Sequence, residues 1–164
     1  MKYFLLISLV FITTFIGYLF SKKYKTRSNF FQALLYLCQK FDIEINFSRE
    51  RLKNIFENID EKNKGYLKGI NTNFISFIDK ETSLDKDNLF KGINFLKDDE
   101  KDVIFTFFKS LGRSDVDSQS KEIKNFQTRF ETFSSQANQD NKKYGSLSVK
   151  LGLVVGLLIV VIFI

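Results

Sequence analysis

Apolar residues follow two patterns along this chain: charge-free runs near its ends, and a spacing of three and four in between. The first run, Tyr3 to Phe20, is 18 residues without a charge, and Leu151 to Ile164 adds 14 more. Between them no segment sustains the alternation of a strand, and the helical period dominates. Phe31, Leu34, Leu35, Cys38, Phe41 and Ile45 form one face of a helix. Ser48 is the expected cap of a second helix carrying Leu52, Ile55, Phe56 and Ile59. Gly65 and Gly69 punctuate the turn that follows, before a third helix with Ile70, Phe74, Ile75, Phe77 and Ile78.

Leu84, Leu89, Phe90, Ile93 and Leu96 predict a short helix broken near Gly92. Asp98 or Asp99 then caps a helix whose Ile104, Phe107, Phe108 and Leu111 share a face, and Gly112 ends it. The last helix starts near Ser114, with Asp115 and Asp117 in its first turn, where the helix dipole favours negative charge. Ile123, Phe126, Phe130, Phe133 and Ala137 continue, past the polar Asp140, to Tyr144, Leu147 and Leu151 as a heptad seam. Gly145 and Ser146 are the expected place for a break or a hinge in it. With no proline anywhere, the pattern predicts an all-α fold. The expectation is an antiparallel bundle of about five to six helices between two transmembrane helices, the last helix being long.

The terminal runs read as membrane anchors at 1–20 and 147–164, enclosing a helical domain at 21–146. A secretory signal is the alternative for the first, but 18 residues exceeds an apolar signal core of ~7–15 and no small-x-small site follows. A helix from Leu147 has 18 residues and spans about 27 Å, close to a hydrocarbon core of ~30 Å. Lys22, Lys23, Lys25 and Arg27 follow the first run, and Lys142, Lys143 and Lys150 precede or enter the second. Both flanks place the middle of the chain in the cytoplasm by the positive-inside rule. The net charge of +6 partly reflects those residues, which topology and anionic lipid explain, so it does not point to nucleic acid.

Little in the sequence suggests catalysis. The chain has no His, which excludes imidazole catalysis and the usual His-based metal sites. No glycine-rich phosphate loop is present. Asp60 and Gly65 occupy positions one and six of a calcium loop, but Lys62 and Lys64 fall at three and five and Asn71 at twelve, so a helix-ending turn is expected instead. Asp98, Asp99 and Glu100 read as a solvated helix start. The lone Cys38 suits a reducing compartment and a buried thiol. No catalytic residue, cofactor or metal ligand is expected. Gly152 and Gly156 form a GxxxG, a candidate contact face for the first span through Gly17, or for a second copy of the chain.

The segment "SLGRSDVDSQ" is a helix corner in which Leu111, Gly112 and Ser114 have structural roles. Arg113 and Gln119 have no required local role; together with Asp115 they are the candidate partner-binding residues. This corner carries a resemblance. "LLYLCQKFDIEI" after the first anchor, "KSLGRSDVDSQSKEI", and "KKYGSLSVKLGLVVGLLIVVI" at the end are similar to the stage III sporulation protein AB family of endospore-forming bacteria. The most specific part is Leu111 to Asp115 with Gln119 beyond it; Glu44-Ile45 and the Lys143-Tyr144, Ser146-Leu147 approach support it. Where the family usually has Pro-Leu, this chain reads Arg51-Leu52.

The resemblance implies a helical cytoplasmic domain similar to those of type II secretion F proteins. It also implies a place in the channel linking mother cell to forespore, on the mother-cell side of the outer forespore membrane. The function implied is that of a non-enzymatic adaptor. Its partners would be a cytoplasmic motor ATPase, other membrane components of the channel and membrane lipid. The alternative from a different class is a tail-anchored tethering or fusion protein acting through a coiled coil of the 123–147 seam.

Overall fold

The computed structural model describes residues 2–47, 52–80, 84–111 and 116–163. Among them no strand occurs, and the all-α architecture expected from periodicity is what the structure has. The helices are α1 (Lys2–Phe47), α2 (Leu52–Glu57), α3 (Glu61–Lys80), α4 (Lys86–Leu89), α5 (Asp98–Ser110), α6 (Val116–Asp140) and α7 (Ser146–Phe163). A π-helical turn at Asn141–Gly145 joins the last two. The chain forms two compact units, Asn29–Ser134 and the pair of segments Met1–Ser28 and Ser135–Ile164. The stems next to the expected anchors, up to Ser28 and from Ser135, thus go with the anchors.

Local chemistry corrects three expectations. Gly65 and Gly69 lie inside α3 rather than in a turn, and the turn read as ending a helix starts one. Asp60 provides the reason: its Oδ1 accepts the Asn63 backbone N–H at 3.0 Å and its Oδ2 the Asn63 side-chain amide at 2.7 Å. These bonds favour the ionised carboxylate and hold its pKa below the usual range. A glycine inside a helix costs about 1 kcal/mol, which a good cap and the burial of Leu67, Ile70 and Phe74 offset. Gly69 also permits close packing, because a Cβ there would stand 3.3 Å from the Ile93 side chain.

The second correction is at α5, where Lys97 rather than an aspartate occupies the cap position. Its side chain has no acceptor, so Glu100 reaches back and accepts the Lys97 backbone N–H at 2.8 Å. Asp98 and Asp99 remain exposed in the first turn. Third, the helix does not break at Gly145 and Ser146; it widens into the π turn and continues into α7. The break near Gly92 is present, and that residue takes φ +80°, a conformation side-chain-bearing residues rarely adopt. Ser48, expected as a cap, lies outside the described residues.

The unit Asn29–Ser134 is built on phenylalanine. Phe30, Phe31, Phe41, Phe56, Phe74, Phe107, Phe108 and Phe130 are fully buried. Phe41 of α1 meets Phe56 of α2 at 5.2 Å between ring centroids, and Phe56 meets Phe74 of α3 at 5.2 Å. Phe108 of α5 stacks on Phe56 and lies 4.8 Å from Phe74. Its neighbour Phe107 continues to Phe126 and Phe130 of α6, both at 5.4 Å. Cys38 is buried beside these rings' helix, and burial pushes its thiol pKa well up. The heptad seam is largely occupied within the chain: Ile123, Phe130 and Ala137 are buried, and Phe133 contacts Phe31 at 5.5 Å.

One polar residue stands out in this core. Asn71 of α3 is 5% exposed, and neither its amide nitrogen nor its oxygen has a hydrogen-bond partner. A buried unpaired polar group is costly. Phe108→Ala is therefore expected to destabilise the chain by about 3–5 kcal/mol. Asn71→Leu should instead stabilise it by about 1 kcal/mol. Denaturant unfolding of the purified full chain, followed by circular dichroism, measures both; a clear loss of stability in Asn71→Leu would contradict the unpaired amide.

Candidate functional site

Two apolar helices mark the unit formed by Met1–Ser28 and Ser135–Ile164, and each is long and apolar enough to be a candidate membrane span. Their hydroxyls are satisfied inside their own helices. Thr13 and Thr14 donate to the Val10 carbonyl at 3.0 and 2.8 Å, and Ser148 to that of Tyr144 at 2.7 Å. Such back-bonding keeps polar groups paired where water is absent. The glycines of the GxxxG lie against the first helix. A Cβ on Gly152 would stand 2.5 Å from the Thr13 carbonyl oxygen, and one on Gly156 would stand 2.4 Å from Thr13 Oγ1 and 3.0 Å from Val10 Cα. Gly17 is equally tight against the Ser148 carbonyl, at 2.4 Å. Only the absence of a side chain lets these backbones approach so closely.

Above the apolar stretch, the same two helices are joined by a charged pair. Arg27 Nη1 donates to Asp140 Oδ2 at 2.7 Å, with the Arg27 side chain 6% exposed and that of Asp140 31%. One turn closer to the apolar stretch, the rings of Tyr24 and Tyr144 meet at 5.7 Å. Sequence reading passed over this pair. Asp140 was visible as a polar interruption of the heptad seam, and Arg27 as one more basic flanking residue. Nothing local connects two positions 113 residues apart.

At the helix corner, Leu111 is buried. Gly112, Arg113, Ser114 and Asp115 lie outside the described residues. Gln119 of α6 is 7% exposed, and its side-chain nitrogen has no hydrogen-bond partner among the described residues. Its neighbour Ser120 donates to Asp42 Oδ1 of α1 at 2.5 Å, which locks the start of α6 onto α1. Between α5 and α6 an open groove of about 450 Å³ is lined by Val103 and Phe126 with Asp102, Glu122 and Arg129. Asp102 there accepts from Lys86 at 2.5 Å, a bond that raises the Lys86 pKa. Asp102 thus pairs with a cation on an open surface, and the groove is not an enclosed acid–base site.

Breaking the stem pair parts a buried guanidinium from a partly buried carboxylate. Arg27→Ala is expected to cost about 2–3 kcal/mol, less than for a fully buried pair because Asp140 keeps some solvent. A double-mutant cycle with Asp140→Ala, read by thermal unfolding of the detergent-solubilised chain, should return a coupling of at least about 1 kcal/mol. Additive effects would mean that the two side chains act independently.

No curated protein and no solved structure matches this chain. The family model described as stage III sporulation protein AB matches residues 2–164. With a match over essentially its whole length, the chain belongs to the stage III sporulation protein AB family.

Proposed function

We propose that the protein is a non-enzymatic membrane adaptor of a sporulation channel, crossing the membrane twice with its central domain in the cytoplasm. The observation that carries this reading is the whole-length family match on a chain whose two apolar helices flank a helical region. Family membership supports a role in sporulation. The basic residues on the inner flanks of both helices support a cytoplasmic middle. Close packing at Gly17, Gly152 and Gly156 supports a hairpin that works as one unit.

In this reading the domain docks a cytoplasmic motor ATPase, in the manner of type II secretion F proteins, and passes conformational work to membrane components of the channel. The membrane is the outer forespore membrane, with the domain on the mother-cell side. That function is built from contact surfaces rather than from a reaction site. The tethering alternative loses support, because seam residues Ile123 and Phe130 are buried inside their own unit.

Topology is tested first. Alkaline phosphatase fused after Ile164 should be active, and a fluorescent protein fused there dark, because the C-terminus then lies outside the cytoplasm. The opposite pair of results would overturn two spans with a cytoplasmic middle. Docking is tested by co-purification of the solubilised chain with the ATPase of the same complex. Arg113→Glu and Asp115→Lys should each reduce recovery at least about fivefold, the scale of one lost charged contact at an interface, with helicity unchanged. Undiminished recovery in both would remove the corner from the interface.

A further inference from the structure

The net positive charge of this protein lies in one of its two units. Met1–Ser28 and Ser135–Ile164 together hold eight Lys and Arg and a single acid, Asp140, out of 25 basic and 19 acidic residues in the chain. Residues 29–134 are left with 17 basic against 18 acidic. The one acid of the anchor unit is already engaged, since Arg27 holds it at 2.7 Å.

Antiparallel register brings the lysines of the two helices to one level. Gly17 lies against Ser148 on the apolar side, and Arg27 against Asp140 on the other. Tyr24 meets Tyr144 between these two contacts. Lys22, Lys23 and Lys25 are therefore level with Lys142 and Lys143 of the π turn. All five are exposed, and none makes an ion pair among the described residues. Lys143 instead lies over the Tyr144 ring, 5.1 Å from its centroid.

We infer that this level is a collar for the headgroups of anionic phospholipids, in which the five lysines bind phosphate groups and the Tyr24–Tyr144 pair sits at the boundary with the acyl chains. The inference rests on the two-span reading and goes beyond the docking role. Three independent observations carry it. Five ammonium groups at one level repel one another unless anions gather there, and none of the five is paired with an acid among the described residues. The collar lies directly beyond the two apolar stretches, at the depth where lipid phosphates are found. Paired tyrosines with an apolar body and polar tip suit that boundary. The Arg27–Asp140 pair fixes the stems just beyond it, so the lysines are held in position while Asp140 is withheld from competing for them.

The test uses the full chain reconstituted into bilayers of phosphatidylcholine and phosphatidylglycerol, with the lipids that stay bound counted by native mass spectrometry. Wild type should retain phosphatidylglycerol in preference to phosphatidylcholine. In the variant carrying Lys22→Gln, Lys23→Gln, Lys142→Gln and Lys143→Gln, that preference should fall by at least about tenfold, given roughly fivefold per lysine near an anionic surface. These side chains are exposed, so helicity should be unchanged by circular dichroism. Equal preference in both proteins, with both resisting carbonate extraction, would overturn the collar and leave the two-span reading intact. Release of both proteins by carbonate would overturn the two together. Loss of the preference on adding millimolar inorganic phosphate at constant ionic strength would reassign the lysines to a soluble phosphate ligand and overturn the lipid proposal.

Discussion

A run of phenylalanine rings passing from α1 through α2, α3 and α5 to α6 is the constraint on which the unit Asn29–Ser134 depends. The helices it joins have little else in common. α2 is 6 residues long and α4 only 4, too short to persist in water alone. α2 becomes stable by placing Phe56 among the rings, and α4 by burying Leu89, whose carbonyl accepts the Asn73 side-chain amide of α3 at 3.0 Å. An edge-to-face or offset pair adds about 0.5–1.5 kcal/mol beyond the area it buries. Because each ring touches several others, the gain is shared across five helices. This explains how a domain without Trp, with two helices this short, still has a core.

The second unit is held together differently. Its two helices present apolar side chains outward, with Phe11, Leu151 and Val161 all exposed. No hydrophobic core therefore drives their pairing. Close backbone approach at Gly17, Gly152 and Gly156 supplies dispersion contacts, and one buried ion pair fixes the register. An ion pair gives little net stability, yet it discriminates between registers, since a slip would part Asp140 from an Arg27 side chain that is only 6% exposed. The π turn lies immediately beyond that pair, between Asp140 and Ser146. Such turns need a local reason to persist. Here Asp140 is pinned on one side and Ser148 on the other, and the widened turn accommodates the residues between them.

Much of this was legible in the sequence where the cause is local. Ile104, Phe107, Phe108 and Leu111 were assigned to one face and all four are buried. Phe31, Leu34, Cys38, Phe41 and Ile45 were equally readable, although Phe30 and Leu37 are buried as well, because this part of α1 is covered on more than one side. Errors arose where a local rule competed with packing. Gly65 and Gly69 look like punctuation, but their cost in a helix is small beside the burial of Phe74. Asp98 looks like a cap, but a carboxylate three residues on from Lys97 can satisfy the same amide. The Arg27–Asp140 pair was not legible at all, since side chains that distant in sequence meet only once the hairpin's register exists.

The distribution of charge narrows how such a domain can recognise another protein. Residues 29–134 are nearly neutral, and many of their charges are paired locally, as in Lys86–Asp102 and Lys101–Asp98. A nearly neutral surface creates little long-range field, and at physiological salt interactions beyond about 8 Å are screened. Diffusional steering toward a charged partner is thus weak for this unit. In the proposed function, recognition would then rest on contacts made at short range, for which half-buried apolar groups such as Phe126 in the groove between α5 and α6 are suited. The basic unit supplies what the domain lacks, a strong local field, but beside the apolar helices. In the proposed function, the net charge of this protein therefore serves placement against a membrane, and partner recognition falls to short-range contacts.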